Sequence, residues 1–100
     1  MYFDEYKQAV LKAINEAYDG IDEYAYALED LSGLVLDPIG RIRELTEQVD
    51  LPSELSEDDI LEYVGEAEDG AERYAETLED TTDCTYPLDK LAEYLGIEFD

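Results

Sequence analysis

Apolar residues recur through the first third of the chain at alternating three- and four-residue steps. Phe3, Tyr6, Val10, Ala13, Ala17, Gly20, Tyr24, Ala27 and Leu31 form one stripe, and Ile14, Ile21 and Leu28 widen it into a core-facing band. This spacing predicts a helix over residues 3–31. The phase holds across Asp19-Gly20, where a turn would reset it, so the pattern favours one continuous helix over two short ones. Ser32-Gly33 is the expected stop, with Gly33 free to take the left-handed cap conformation.

Leu34-Val35-Leu36 reads as an apolar connector tucked under the core. Asp37-Pro38 then opens a second helix, with Asp37 as N-cap and Pro38 at the first helical position. Ile39, Ile42, Leu45 and Val49 give it a buried edge, and Pro52 marks a linker. A third helix starts at Ser56-Glu57-Asp58-Asp59, a serine cap followed by acids over the positive end of the helix dipole. Its stripe is Ile60, Val64, Ala67, Ala71, Tyr74 and Leu78. Residues 81–85 read as a loop, and a last helix is expected to begin near Pro87 and bury Leu88, Leu91 and Leu95. The fold class is therefore all-α.

The long stretches repeat. Residues 14–31 laid over 64–81 match at nine of eighteen positions, where chance in so biased a composition gives roughly two, so the match reads as an internal repeat. Glu16-Ala17, Asp19-Gly20, Tyr24-Ala25 and Leu28-Glu29-Asp30 return as Glu66-Ala67, Asp69-Gly70, Tyr74-Ala75 and Leu78-Glu79-Asp80. Pro38-Ile39 and Arg41-Ile42 return as Pro87-Leu88 and Lys90-Leu91. The expected architecture is one domain of two repeats, 1–50 and 51–100, each a long helix followed by a short one. Glycine inside a helix costs about 1 kcal/mol against alanine, yet both copies keep it on the apolar face. The expectation is that the long helices cross at Gly20 and Gly70 near a pseudo-two-fold axis; the competing reading makes each Asp-Gly a break.

Charge changes the picture most. The chain has 29 acids, 6 bases and no histidine, a net charge of −23. Residues 1–50 hold 12 acids and 4 bases, and residues 51–100 hold 17 acids and 2 bases. Such a field repels nucleic acid and anionic membranes and attracts basic surfaces at a salt-dependent rate. Along the third helix Asp58, Glu62, Glu66, Asp69, Glu72, Glu76 and Asp80 follow at three- or four-residue steps, with Glu68 and Glu79 beside them. The first helix carries a sparser row of Asp19, Asp22, Tyr26, Glu29 and Asp30. Like charges at this spacing repel, and almost no lysine interleaves with them.

Four helical residues rise about 6 Å, close to the spacing of successive phosphates along a nucleic-acid strand. A stiff helix with acids at that step therefore offers a row of charge that a DNA-binding groove would accept. In size, charge and helical acid spacing the chain resembles the DNA-mimic inhibitors of phages and plasmids, the Ocr and ArdA antirestriction proteins and the acidic anti-CRISPR proteins. No motif is shared. The resemblance implies a cytoplasmic inhibitor, in an infected or plasmid-bearing host cell, of a basic nucleic-acid-binding protein: a restriction enzyme, CRISPR effector, nuclease or nucleoid protein. The competing readings are an acidic immunity or antitoxin protein against a basic nuclease or toxin, and a salt-adapted helical protein with no mimicry. The oligomeric state is left open, a homodimer included.

Catalytic chemistry is not in evidence. Without histidine, and with Cys84 the lone cysteine, the common zinc sites and nucleophile–base pairs are missing. No phosphate loop or calcium loop is present, so no cofactor, metal or catalytic residue is expected, and the protein reads as a non-enzyme. Cys84 has no basic neighbour to favour its thiolate. Its solitude, the absence of an apolar run long enough to span a bilayer, and an acidic N-terminus predict a cytoplasmic location. Of nine tyrosines, Tyr6, Tyr24 and Tyr74 fall on apolar stripes. Tyr18 and Tyr26 fall on the acidic side of the first helix as candidate interface anchors. Lys7, Lys12, Arg41, Arg43, Arg73 and Lys90 are expected to make internal surface pairs.

Overall fold

Helices α1 (Phe3–Ala27), α2 (Asp37–Gln48), α3 (Glu57–Thr77) and α4 (Thr82–Leu95) account for nearly all regular structure in the computed structural model, which describes residues 1–79 and 81–97. A π-helical turn, Ser32–Leu36, runs into α2 without a break. The fold is all-α, and no strand occurs among the described residues.

Helix ends show how the elements are arranged. The Met1 ammonium donates to the Gln48 carbonyl at 3.1 Å, so α2 returns to the start of α1. The Tyr94 hydroxyl accepts the Ser56 amide at 2.7 Å and reaches the Asp59 carboxylate at 3.3 Å, so α4 returns to the start of α3. The chain thus runs up, down, up, down. α1 packs on α2 and α4, and α3 packs on α4 and α2. Among the described residues no Cα of α1 lies within 8 Å of one in α3, so the two long helices stand at diagonal corners. Between them Tyr6, Val10, Ile14, Ile39, Ile42, Ile60, Val64, Leu88 and Leu91 fill a closed core. Long side chains bridge the diagonal: Tyr24 and Tyr74 meet edge-on with ring centroids 6.1 Å apart, at the end where α1 and α3 both terminate.

Both long helices run straight through Asp-Gly, as the unbroken phase predicts. The reason for the glycines differs from the expected crossing of α1 with α3. A Cβ on Gly20 would lie 1.8 Å from the Leu34 carbonyl oxygen, and one on Gly70 would lie 1.9 Å from that of Asp83. Leu34 and Asp83 each precede a proline, Pro38 or Pro87, by four residues. Proline has no N–H, so each carbonyl lacks its regular helical donor. It turns instead against the neighbouring long helix, where only glycine leaves room for it and a Cα–H···O contact of about 0.5–1 kcal/mol can form. The glycines therefore bring each long helix against the segment that follows it, not against each other.

Several boundaries move for physical reasons. α1 stops at Ala27, four residues early, because Leu28 takes the left-handed conformation (φ 57°) and donates its N–H to the Tyr24 carbonyl at 2.7 Å. Leu78 ends α3 in the same way (φ 56°) on Tyr74. Gly33 is not left-handed; a Cβ there would strike the Asp30 carboxylate, which accepts the Gly33 amide at 3.0 Å. Asp37 is the first residue of α2 and not its cap, since the π turn already supplies helical backbone. Ser56 has the extended backbone of a cap but makes no side-chain cap bond. α4 begins at Thr82, five residues before Pro87, which sits inside the helix because the carbonyl it leaves free faces Gly70. Thr46 is buried where Leu45 and Val49 were expected to carry the edge, and they are half-buried. Its hydroxyl bonds Tyr6 at 2.8 Å and the Ile42 carbonyl at 2.7 Å, so the two buried hydroxyls satisfy each other.

Alanine at Gly20 or Gly70 should lower stability by about 1–3 kcal/mol through overpacking against backbone, despite alanine's better helix propensity. Alanine at Gly40 or Gly65, where a Cβ meets nothing within 4 Å, should raise it by about 0.5–1 kcal/mol. Urea denaturation of the four variants checks the contrast.

Candidate functional site

On α3 the acids and the core residues divide by angle. At 100° per residue Asp58, Glu62, Glu66, Asp69, Glu72 and Glu76 fall within a sector of about 120°, opposite Val64, Ala67 and Ala71. All six are exposed and those three are buried. Asp19, Asp22 and Tyr26 take the same outward position on α1 and are exposed too. Since α1 and α3 stand at diagonal corners with their stripes inward, the two acidic rows look out from opposite flanks of the bundle.

The rows are shorter than the spacing alone suggests. Glu29, Asp30 and Glu79 are exposed but lie beyond the left-handed caps at Leu28 and Leu78, so they extend the charge without continuing a helical row. Asp30 is also engaged locally, by the Gly33 amide. Asp80 lies outside the described residues.

Of the six bases expected to make surface pairs, four do so among the described residues, none of them with a carboxylate of the row. Arg41 pairs with Glu16 at 2.5 Å, Arg43 grips Glu68 through both nitrogens at 2.5 and 3.1 Å, Arg73 pairs with Asp83 at 3.1 Å, and Lys90 with Glu93 at 3.4 Å. Lys7 lies over the Phe3 ring at 5.3 Å. Such exposed pairs each add about 0–1 kcal/mol. Their consequence is positional: Arg41, Arg43 and Arg73 staple adjacent helices, and among the described residues none of the row carboxylates shares an ion pair with a base.

Matching clefts lie where each long helix meets its short one. Glu16, Asp19 and Gly20 face Leu34, Pro38 and Arg41 across a cleft of 220 Å³. Glu66, Asp69 and Arg73 face Asp83, Tyr86 and Pro87 across one of 360 Å³. Both are open and acid-lipped, and the row residues Asp19, Glu66 and Asp69 form part of their rims.

The tyrosines split. Tyr26 is 94% exposed, as an anchor requires. Tyr18 is not free: it is half-buried and its hydroxyl donates to the Asp89 carboxylate, joining α1 to α4. Burial, then that carboxylate, pushes its pKa up. Burial likewise pushes up Tyr6 and raises the Cys84 thiol to about 12, which suits an inert core thiol and not a reactive one. Among the described residues no cluster of three or more Asp, Glu or Cys is placed to hold a metal ion, and no helix is long and apolar enough to cross a membrane. Leu28 and Leu78 were the residues least visible beforehand. They sit on the apolar stripes yet are 53% and 47% exposed, and their shared place in the repeated phrase was the only hint of a common role. Comparison with known proteins gives no matching family model, no matching curated protein and no matching solved structure.

Cys84 should resist Ellman's reagent in the native protein at pH 8 and react fully in denaturant. In the unfolded chain the thiol ionises near 9.0 and in the fold near 12, so its share of stability is complete below pH 9 and falls as pH rises from 9 toward 12. Tyr6 and Tyr18 act in the same direction above pH 10. Urea midpoints measured at pH 8 and pH 11 should drop accordingly, with the Cys84→Ala variant dropping less.

Proposed function

We propose that this chain is a DNA mimic: a cytoplasmic, non-enzymatic inhibitor that fills the basic groove of a nucleic-acid-binding protein, of the antirestriction or anti-CRISPR kind. The observation that carries this reading is the uncompensated row on α3. Residues 57–77 hold nine acids and one arginine, a net −8. At 1.5 Å per residue they span about 31 Å, one net charge per about 4 Å. A DNA strand carries one per about 3.4 Å along its axis. A groove built to neutralise a phosphate strand thus meets a comparable line density on a rod already held in shape by its core.

The shape supports the same reading. The chain measures 40 × 24 × 18 Å, an elongated body with the girth of a nucleic-acid duplex, and its two acidic rows lie on opposite flanks as the two strands of a duplex do. Inhibition is steric and electrostatic: lysines and arginines that gain affinity by displacing counterions from DNA gain it here by displacing them from carboxylates. Arg73 is the one base on α3 and lies within the acidic sector, but its ion pair is with Asp83 of α4, so six carboxylates against one engaged arginine keep that face negative.

The test is competition against a labelled DNA duplex bound to a panel comprising a type I restriction enzyme, a CRISPR effector, a nuclease and a nucleoid protein. The chain should displace duplex from at least one member, with apparent affinity falling at least tenfold between 50 and 200 mM salt. The combined E62Q/E66Q/D69N/E72Q/E76Q variant should compete at least tenfold less well while melting higher, because repulsion along α3 is relieved. Failure to displace duplex from any member at 100 mM salt, or an undiminished amide variant, refutes the proposal.

A further inference from the structure

We infer that the end of the bundle where α1 and α3 terminate is a docking tip for a partner protein presenting an apolar patch ringed by lysine and arginine. Leu28 and Leu78 carry the argument. Each closes its helix in the left-handed conformation, φ 57° and 56°, a position where glycine is at ease and a branched side chain is strained. Such strain persists where something else requires the residue. Core packing does not require it, since about half of each leucine's surface faces water. The same choice is made twice, fifty residues apart, at the same end of the molecule.

The surroundings extend the patch and fix the sign of its partner. Ala25, Tyr26 and Ala27 are exposed on the last turn of α1, leaving an apolar edge that runs into Leu28. The Tyr24–Tyr74 edge contact holds the two helix ends together behind it. The exposed carboxylates Glu29, Glu76 and Glu79 lie within two residues of the leucines, and Asp22 and Glu23 follow further back on α1, against one base, Arg73, at the equivalent distance on α3. Neither α1 nor α3 has a basic residue in its last turn. An apolar centre within a charged rim is the layout of a protein interface, with affinity at the centre and steering at the rim. Net −23 repels a second copy of this chain, a nucleic acid and an anionic membrane, and so favours a basic occupant. A basic protein surface with an apolar centre remains. The tip adds a salt-resistant contact to the salt-sensitive row on α3, and rests on the mimic reading only for the partner's positive charge.

The experiment uses the full chain and two synthetic peptides of one composition, rich in leucine, lysine and arginine. In one the leucines share a helical face, and in the other they are scrambled. Fluorescence polarisation at 150 mM salt should show the amphipathic peptide binding at least tenfold tighter. The L28G/L78G variant should lose that preference while melting higher than the natural chain, because glycine relaxes both caps. L28N/L78N, also at ease in the left-handed region, should lose it too. Equal affinity for the two peptides, or a preference retained by both variants, overturns the docking tip while leaving the acidic row standing. Binding of neither peptide at any salt concentration overturns both proposals.

Discussion

A proline that lacks a hydrogen and a glycine that lacks a Cβ meet at each junction between a long helix and a short one. Pro38 and Pro87 leave the Leu34 and Asp83 carbonyls without their helical donor, and Gly20 and Gly70 leave the space that those carbonyls occupy, which a Cβ would fill. Each element of this contact costs something alone. Glycine inside a helix loses about 1 kcal/mol to alanine, and proline in a helix interior about 3 kcal/mol. Together they let backbone approach backbone and fix how α2 lies on α1 and α4 on α3. That placement sends the apolar stripes inward and sets the acidic faces outward, so the surface chemistry follows from the junctions.

Charge is organised by the same placement. A chain at −23 pushes against its own folding, and the arginines relieve this at the seams: Arg41 to Glu16 and Arg43 to Glu68 join α2 to the two long helices, and Arg73 joins α3 to Asp83. The outward row from Asp58 to Glu76 is left unrelieved. Among the described residues no carboxylate of this row makes an ion pair, although Arg73 stands on the same helix and reaches across to Asp83 instead. The left-handed leucines at the tip are apolar groups in a comparable position, with about half of each surface facing water.

What a candidate site can be depends on which side chains the bundle consumes. Tyr18 and Tyr26 look alike in sequence, both polar-side tyrosines of α1, but α4 brings Asp89 to Tyr18 and nothing to Tyr26. Asp30 and Glu29 are neighbours, yet a backbone reversal at Asp30 turns one into a local cap and leaves the other in solvent. Cys84 falls in the stretch 81–85 that reads as a loop, but α4 starts at Thr82 and carries the thiol into the core.

The amino-acid sequence by itself determined the four helices, most of their buried stripes and the outward carboxylates from Asp58 to Glu76. Periodicity of 3.6 residues separates Val64, Ala67 and Ala71 from Glu62, Glu66 and Asp69 without any knowledge of neighbours. It also favoured close contact at Gly20 and Gly70 over a break at each Asp-Gly, since both sit on the apolar face and the phase runs on through them. Which contact they serve, where α1 and α3 stop, and that the two acidic rows face opposite ways were decided only by tertiary structure. Those facts depend on which helix lies beside which, and on carbonyls, caps and a buried Tyr6–Thr46 pair joining residues forty apart. Pattern along a chain reports the face of an element, whereas the identity of what meets that face is a property of the assembled bundle.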